Sequence, residues 1–455
     1  MVTHRVRVVE GSCWPCRKRR IKCDLTKPRC ERCSRIGAEC DFGARRLRWS
    51  TRPTAKAPAA YQIVAVHDAH LASSLAVDER RALDYFRHRL WPLLTTASEP
   101  CAAPVPQALE HRVVLLATCV IADAHRVLQD GRNSRALLRA RRLECLAAIR
   151  GGIGGDAADK APLMTLLLAV LLLYFHDGFL ECAQSSASTA SHHGGVRAIV
   201  DSLGGISEVL ERSHESIHML LSEFASTDLT TVMLKGGRPS FPPETWDAID
   251  KRSVWWGRDV LGRSSLACVF RQTATLACYL DAIRNGSQEL SMETVRDFEM
   301  ALSPTYARIA DASGDIDIGT EAGDIVAESN HAFTLIRAFQ HTALIYMYRA
   351  VCGLPVSHPL VQQHVLPCLE CILDIRQPSK VLNCAIFPLL VAGAHLQAPR
   401  HRKAVMCLVN AIRDEVRFAS FRSVGDVLSG IWKADREDVA WFDTFSELGA
   451  DAIVL

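Results

Sequence analysis

From Asp78 to Leu455 apolar residues recur every three or four positions, the spacing that lines them along one face of an α-helix. In residues 79–94 (ERRALDYFRHRLWPLL), Leu83, Phe86, Leu90 and Leu94 share such a face, with Asp78 placed to cap the helix. Val405, Leu408, Val409, Ile412 and Val416 repeat the pattern, as do Val424, Val427, Leu428, Ile431 and Trp432. Glycine-rich positions 151–155, 204–205 and 236–237 are expected to punctuate the helices. No useful stretch alternates apolar and polar residues as a strand would, so residues 78–455 are predicted to be a large all-α domain. The longest apolar run, residues 161–175, includes Pro162 and Thr165 and falls short of the roughly 20 residues that cross a bilayer. It is predicted to be a buried helix, and no membrane partner is expected.

Ahead of this body the periodicity stops. Residues 42–77 carry Arg45, Arg46, Arg48, Arg52 and Lys56 among Pro53, Pro58 and a run of alanines, which predicts a basic flexible linker. Residues 61–71 show no a/d seam, so a coiled-coil dimer has no support there, although a homodimer formed otherwise remains open.

Charge changes the picture more than composition does. The net charge of +3 hides a split: residues 1–60 hold sixteen Lys/Arg against five Asp/Glu, a balance of +11, which leaves −8 for the remainder. A basic head on an acidic body points to a polyanion as the head's partner. The first twelve residues form a basic tail with no apolar core of signal-peptide length, so the cysteines are expected to be thiols or metal-bound thiolates.

Six of the 17 cysteines lie within the head. Cys13, Cys16, Cys23, Cys30, Cys33 and Cys40 repeat one C-x2-C-x6-C unit twice. Zinc takes four thiolates in a tetrahedron, so two ions need eight places, and six cysteines fill them only if two are shared. One shared ligand from each half would join the halves. A segment this short cannot stabilise itself by apolar burial, so metal binding must supply its folding energy. Disulfides fit poorly without an export signal, and an iron–sulfur cluster would want four cysteines around one centre.

Between Cys16 and Cys23 run Arg17, Lys18, Arg19, Arg20, Ile21 and Lys22, five positive charges in six residues. On a short helix fixed by metal at both ends, some of these must reach phosphates and one or two can read guanine edges in the major groove. The run CWPCRKRRIKCDLTKPRCERCSRIGAEC closely resembles the fungal binuclear zinc-cluster transcription factors. That resemblance implies two zinc ions in residues 13–41, Cys13 and Cys30 bridging both, double-stranded DNA as partner, and CGG-like triplets read by Arg19 and Arg20. Many relatives have Lys at the position of Arg20. Pro28 matches the proline between the halves. Residues 193–199, Phe387-Pro388-Leu389 with Ala392-Gly393, and Arg402 with Trp432 and Trp441 further resemble the regulatory domain that follows the cluster in one subgroup of these factors.

Other features read as structure. Cys368 and Cys371 form a C-x2-C in an apolar helix without a second pair, which predicts buried thiols. Adjacent His192 and His193 point different ways on a helix, so capping or core roles are expected. The glycines at 151–155 lack the remainder of a phosphate loop, and the chain carries no nucleophile elbow, zincin or kinase signature, so no enzyme is predicted. The acidic stretch 315–328 reads as a solvated loop. The tail 433–455 mixes acids with Trp441, Phe442 and Phe445, an activation-like composition that helix packing explains as well. The expectation is a nuclear regulator of RNA polymerase II genes that meets DNA and transcription machinery or co-regulators, with a zinc-responsive sensor as the alternative.

Overall fold

Helix is the only regular backbone among the described residues of the computed structural model, which are 12–13, 15–16, 19, 21–40, 42, 74–94, 101–130, 135–154, 162–184, 188–252, 265–304, 320–375, 379–434 and 439–455. The chain divides into two compact units, Met1–Val64 and Ala65–Leu455. The basic linker 42–77 lies almost wholly outside the described residues.

In the larger unit the predicted faces are the buried ones. Leu83, Phe86, Leu90 and Leu94 all enter the core, as do Val405, Val409, Ile412 and Val416 on the Pro399–Val416 helix. The helix at Val77–Tyr85 differs in its cap: it starts after Ala76, and the Glu79 carboxylate accepts the Ala76 N–H at 3.1 Å. Asp78 therefore sits inside the first turn, where its charge favours the helix N-terminus, and is not the cap. The glycines at 151–154 do not break their helix either, since Arg135–Gly154 runs through them. By contrast Gly204, Gly205, Gly236 and Gly237 adopt φ values of +84° to +101° and do end helices. The acidic stretch 315–328 is not all loop, because the Thr320–Tyr346 helix takes in its second part; residues 315–319 lie outside the described ones.

Two long helices organise the packing. Arg112–Asp130, buried from Val113 through His125, packs against Val77–Tyr85, Val105–Glu110, Arg135–Gly154 and Leu163–Phe175. Thr320–Tyr346 packs against Leu266–Arg284, Pro359–Leu373 and Ile386–Ala394. The apolar helix Leu163–Phe175 continues through a π-helical turn, His176–Leu180, which extends the run beyond the fifteen residues read from sequence. This window is long and apolar enough to cross a membrane, yet 89% of it is buried inside the body.

The final segment enters the core through Trp441, Phe445, Leu448 and residues 452–455. Trp441 donates its indole N–H to Met233 O at 2.6 Å, and Ala452, Ile453, Val454 and Leu455 are all buried. Ile453 N–H reaches Gly178 O, Thr230 Oγ1 donates to Val454 O, and Phe387 N–H to Leu455 O. Gly178 is required at this crossing, since a Cβ there would lie 2.5 Å from Ile453.

Buried polar groups fix how the helices meet. Asp177, fully buried, accepts from Arg142 Nη2 at 2.6 Å, His176 Nδ1 at 2.7 Å and the Ser188 N–H at 2.8 Å, with His192 Nε2 at 3.3 Å. His193 turns instead to Asp228, at 2.7 Å, with Ser240 against both. The two neighbouring histidines thus serve different helix contacts. Cys368 and Cys371 are buried, and burial pushes the Cys368 thiol up to about 12, which makes it an inert packing group.

Burial also holds several histidines neutral. It lowers His218, His364 and His395 to about 4 and His341 to about 3. His395 shows why this suits the fold: its Nδ1 bonds Val391 O at 2.7 Å and its Nε2 accepts from Arg349 Nε at 3.2 Å, an arrangement that needs a neutral ring. Below the ordinary histidine value of about 6.5 the unfolded chain takes up protons that these sites refuse, so folded stability is full above that pH and declines below it. Chemical unfolding of the full chain is expected to show a flat stability from pH 8 to 7 and a decline between about pH 6.5 and 4, approaching 1.4 kcal/mol per pH unit for each such histidine. Unchanged stability across that window would contradict this reading.

Candidate metal centre and nucleic-acid interface

Among the described residues of the smaller unit, cysteine sulfurs make up the buried centre. Cys13, Cys16, Cys23, Cys30 and Cys33 are buried and Cys40 is half-buried. Pro15 and Cys16 are helical, and the Arg19 N–H closes onto Pro15 O while Ile21 N–H closes onto Cys16 O. This turn brings Cys16 and Cys23 to the same side. The second half forms the short helix Glu31–Arg35, whose N-terminus Cys30 caps by accepting the Cys33 N–H on its sulfur.

The sulfurs converge in two overlapping sets: Cys13, Cys16, Cys23 and Cys30, and Cys13, Cys30, Cys33 and Cys40. Within each set the ligand atoms lie within 4.8 Å of one another, and Cys13 and Cys30 belong to both. Four thiolates at about 2.3 Å from zinc stand about 3.8 Å apart. Cys13–Cys30 is 3.6 Å, Cys23–Cys13 3.8 Å and Cys16–Cys30 3.8 Å, so the donor set fits a thiolate-bound metal pair with two shared ligands.

Electrostatics point the same way. Burial pushes the Cys16 thiol up to about 12 and raises Cys13 further, so these two sulfurs resist ionisation on their own. Burial also opposes the Cys30 thiolate, but the Cys33 N–H and the neighbouring thiols outweigh it and bring Cys30 down to about 6. A bound cation is the natural way to hold all the sulfurs deprotonated together.

Asp24 is a working residue that the sequence reading passed over. Its carboxylate accepts the Thr26 N–H at 3.1 Å, and the Glu31 and Arg32 N–H groups at 3.3 and 3.4 Å, linking the first half to the start of the second helix. These contacts, with the Thr26 side chain foremost, hold Asp24 well below the usual carboxylate range. An acid directly after Cys23 was the available signal. The bond before Pro28 is cis.

Of the basic run, Arg19 and Lys22 are described and both are exposed; Arg17, Lys18 and Arg20 lie outside the described residues. The Arg19 Nε donates to Pro15 O at 3.1 Å and its Nη2 to Cys33 Sγ at 3.5 Å.

A two-centre thiolate module followed along the chain by a helical body defines a metal-dependent binding protein of two parts. The family comparison names both: residues 81–454 match the fungal specific transcription factor domain and residues 11–50 the fungal Zn(2)-Cys(6) binuclear cluster domain, and the chain belongs to this family of fungal transcription regulators. The cluster domain binds two zinc ions, and domains of its kind bind DNA. The chain is also similar to the arginine metabolism regulation protein II of Saccharomyces cerevisiae (strain ATCC 204508 / S288c), 47% identical over 38 residues, which is 8% of this chain and 4% of that relative. No solved structure matches the chain.

Proposed function

We propose that this chain is a nuclear, sequence-specific regulator of RNA polymerase II genes that reads GC-rich, CGG-like half-sites in the major groove. The observation that carries the proposal is the pair of four-sulfur sets sharing Cys13 and Cys30, in a segment whose sequence between Cys16 and Cys23 holds five basic residues. Cys13, Cys16, Cys23, Cys30, Cys33 and Cys40 would hold the two zinc ions, whose part is structural: they fix the turn, and the protein's side chains do the reading. Arg17, Lys18 and Lys22 neutralise phosphates, and Arg20 reaches a guanine edge. The same proposal assigns residues 1–12 to a basic tail, 13–41 to the cluster, 42–77 to a linker and 78–455 to a domain that meets transcription machinery or co-regulators. The name of the yeast relative ties that protein to arginine metabolism, and genes of one metabolic pathway, or of a secondary-metabolite cluster, are the targets we assign here.

Selection of binding sites from random DNA by the full chain, with and without a chelator, tests this. A CGG-like triplet should emerge only while zinc is retained; unselective binding with zinc in place would overturn it. Arg20→Ala should cost about 1–3 kcal/mol on the selected site and relax preference at one base pair. Equal weakening on selected and scrambled DNA, read by fluorescence anisotropy, would remove Arg20 from base reading.

A further inference from the structure

We infer that Arg19 is a positioning residue that braces the zinc cluster, and that base reading falls to its neighbour. This rests on the zinc assignment proposed above. Pro15 lies between Cys13 and Cys16 in the first half of the cluster, and Cys33 belongs to the second. Arg19 spans them with two donors of one guanidinium, Nε to Pro15 O at 3.1 Å and Nη2 to Cys33 Sγ at 3.5 Å, while its own N–H also bonds Pro15 O at 3.2 Å.

Three consequences follow from that geometry. Six thiolates with two dications sum to 4 − 6 = −2, and a fixed cation donating to a ligand sulfur offsets part of that excess where it is concentrated. Cys33 enters only one of the two sulfur sets, so Arg19, on the turn that follows Cys16, couples the set containing Cys16 to the other. Finally, bidentate recognition of guanine needs two parallel N–H groups on one edge of the guanidinium. The Nε/Nη2 edge of Arg19 is engaged and holds the guanidinium against the cluster; only its Nη1/Nη2 end is left for DNA, and the proposal assigns that end to a phosphate, which the exposure of the residue allows.

The test uses the full chain and two variants, Arg19→Gln, which removes charge and fork, and Arg19→Lys, which keeps the charge but loses the fork. Zinc transfer to a competing chromophoric chelator is timed, and base preference is read on a panel of single-base variants of the selected site. Both variants should release zinc about 10-fold faster or more, in line with the loss of a hydrogen bond to a metal ligand, while base preference stays that of the wild type. Arg19→Lys should also keep the wild-type salt dependence. Wild-type release kinetics in either variant, or loss of preference at one base pair, would overturn the brace and return Arg19 to base reading. If the wild-type chain itself holds no zinc, the underlying assignment fails and the brace fails with it; if it holds two and the variants match it, only the brace fails.

Discussion

Cys13→Ser is expected to empty both metal sites and abolish selective DNA binding while leaving the helical body folded. Cys13 Sγ belongs to both sulfur sets, so replacing it by a hydroxyl removes a ligand from each ion at once. Among the described residues of the module the buried side chains are Ser12 and five cysteines, with Ile21, Ala38, Cys40 and Phe42 packed beside the sulfurs, so metal must supply most of its cohesion. Without metal it should unfold, and specific affinity should fall by about 10³-fold or more to the level of charge-driven binding. Residues 65–455 form their own compact unit with a separate core, so their thermal transition should not move. Cys40→Ser makes the comparison sharp, because Cys40 enters one set only and its loss should leave more zinc bound than the loss of Cys13. Native mass spectrometry and anisotropy read both effects. Equal zinc retention by the two variants would contradict the sharing.

The second large effect lies in the body. Asp177→Ala should destabilise it by about 3–5 kcal/mol, because Arg142 is left part-buried facing a site that has lost its countercharge, and the Ser188 N–H loses its acceptor. Asp177→Asn should recover part of this through its remaining oxygen. The pH dependence separates this aspartate from the buried histidines. Burial works against the Asp177 charge, but His176, His192 and Arg142 outweigh it and hold the carboxyl far below the usual range. A depressed carboxylate stabilises above its unfolded value, about 3.9, and loses that contribution only as pH falls toward its folded value. The deficit of Asp177→Ala should therefore persist from pH 8 down to 5, while the decline linked to His218, His341, His364 and His395 appears in variant and wild type alike. Denaturant titration at pH 7.5 and 5.5 reads this; a deficit that vanishes at pH 5.5 would contradict it.

Much of the cluster was legible because metal chemistry restricts spacing. Two C-x2-C-x6-C units with eight places to fill imply two shared sulfurs from spacing alone, and the two sulfur sets share two cysteines. The body was legible where periodicity is strong, as along Val405, Val409, Ile412 and Val416. It was not legible where a long-range contact decides. Arg19 reads as one more charge in a basic run, and only the fold brings Cys33, fourteen positions later, onto its guanidinium. Asp177 follows an apolar run and gives no local sign that Arg142 and Ser188 will meet it. Asp78 has the chemistry of a cap, yet the helix starts one residue earlier and Glu79 reaches back instead. The tail's aromatics suit both activation and packing, and only the Met233 carbonyl waiting for Trp441 resolves the choice.

Counting zinc on the full-length chain by native mass spectrometry, before and after graded chelation, tests the central claim most directly. Two zinc ions per chain are predicted, leaving together as selective DNA binding is lost. A chain that carries one ion or none, or that still selects its site once both are stripped, would contradict it.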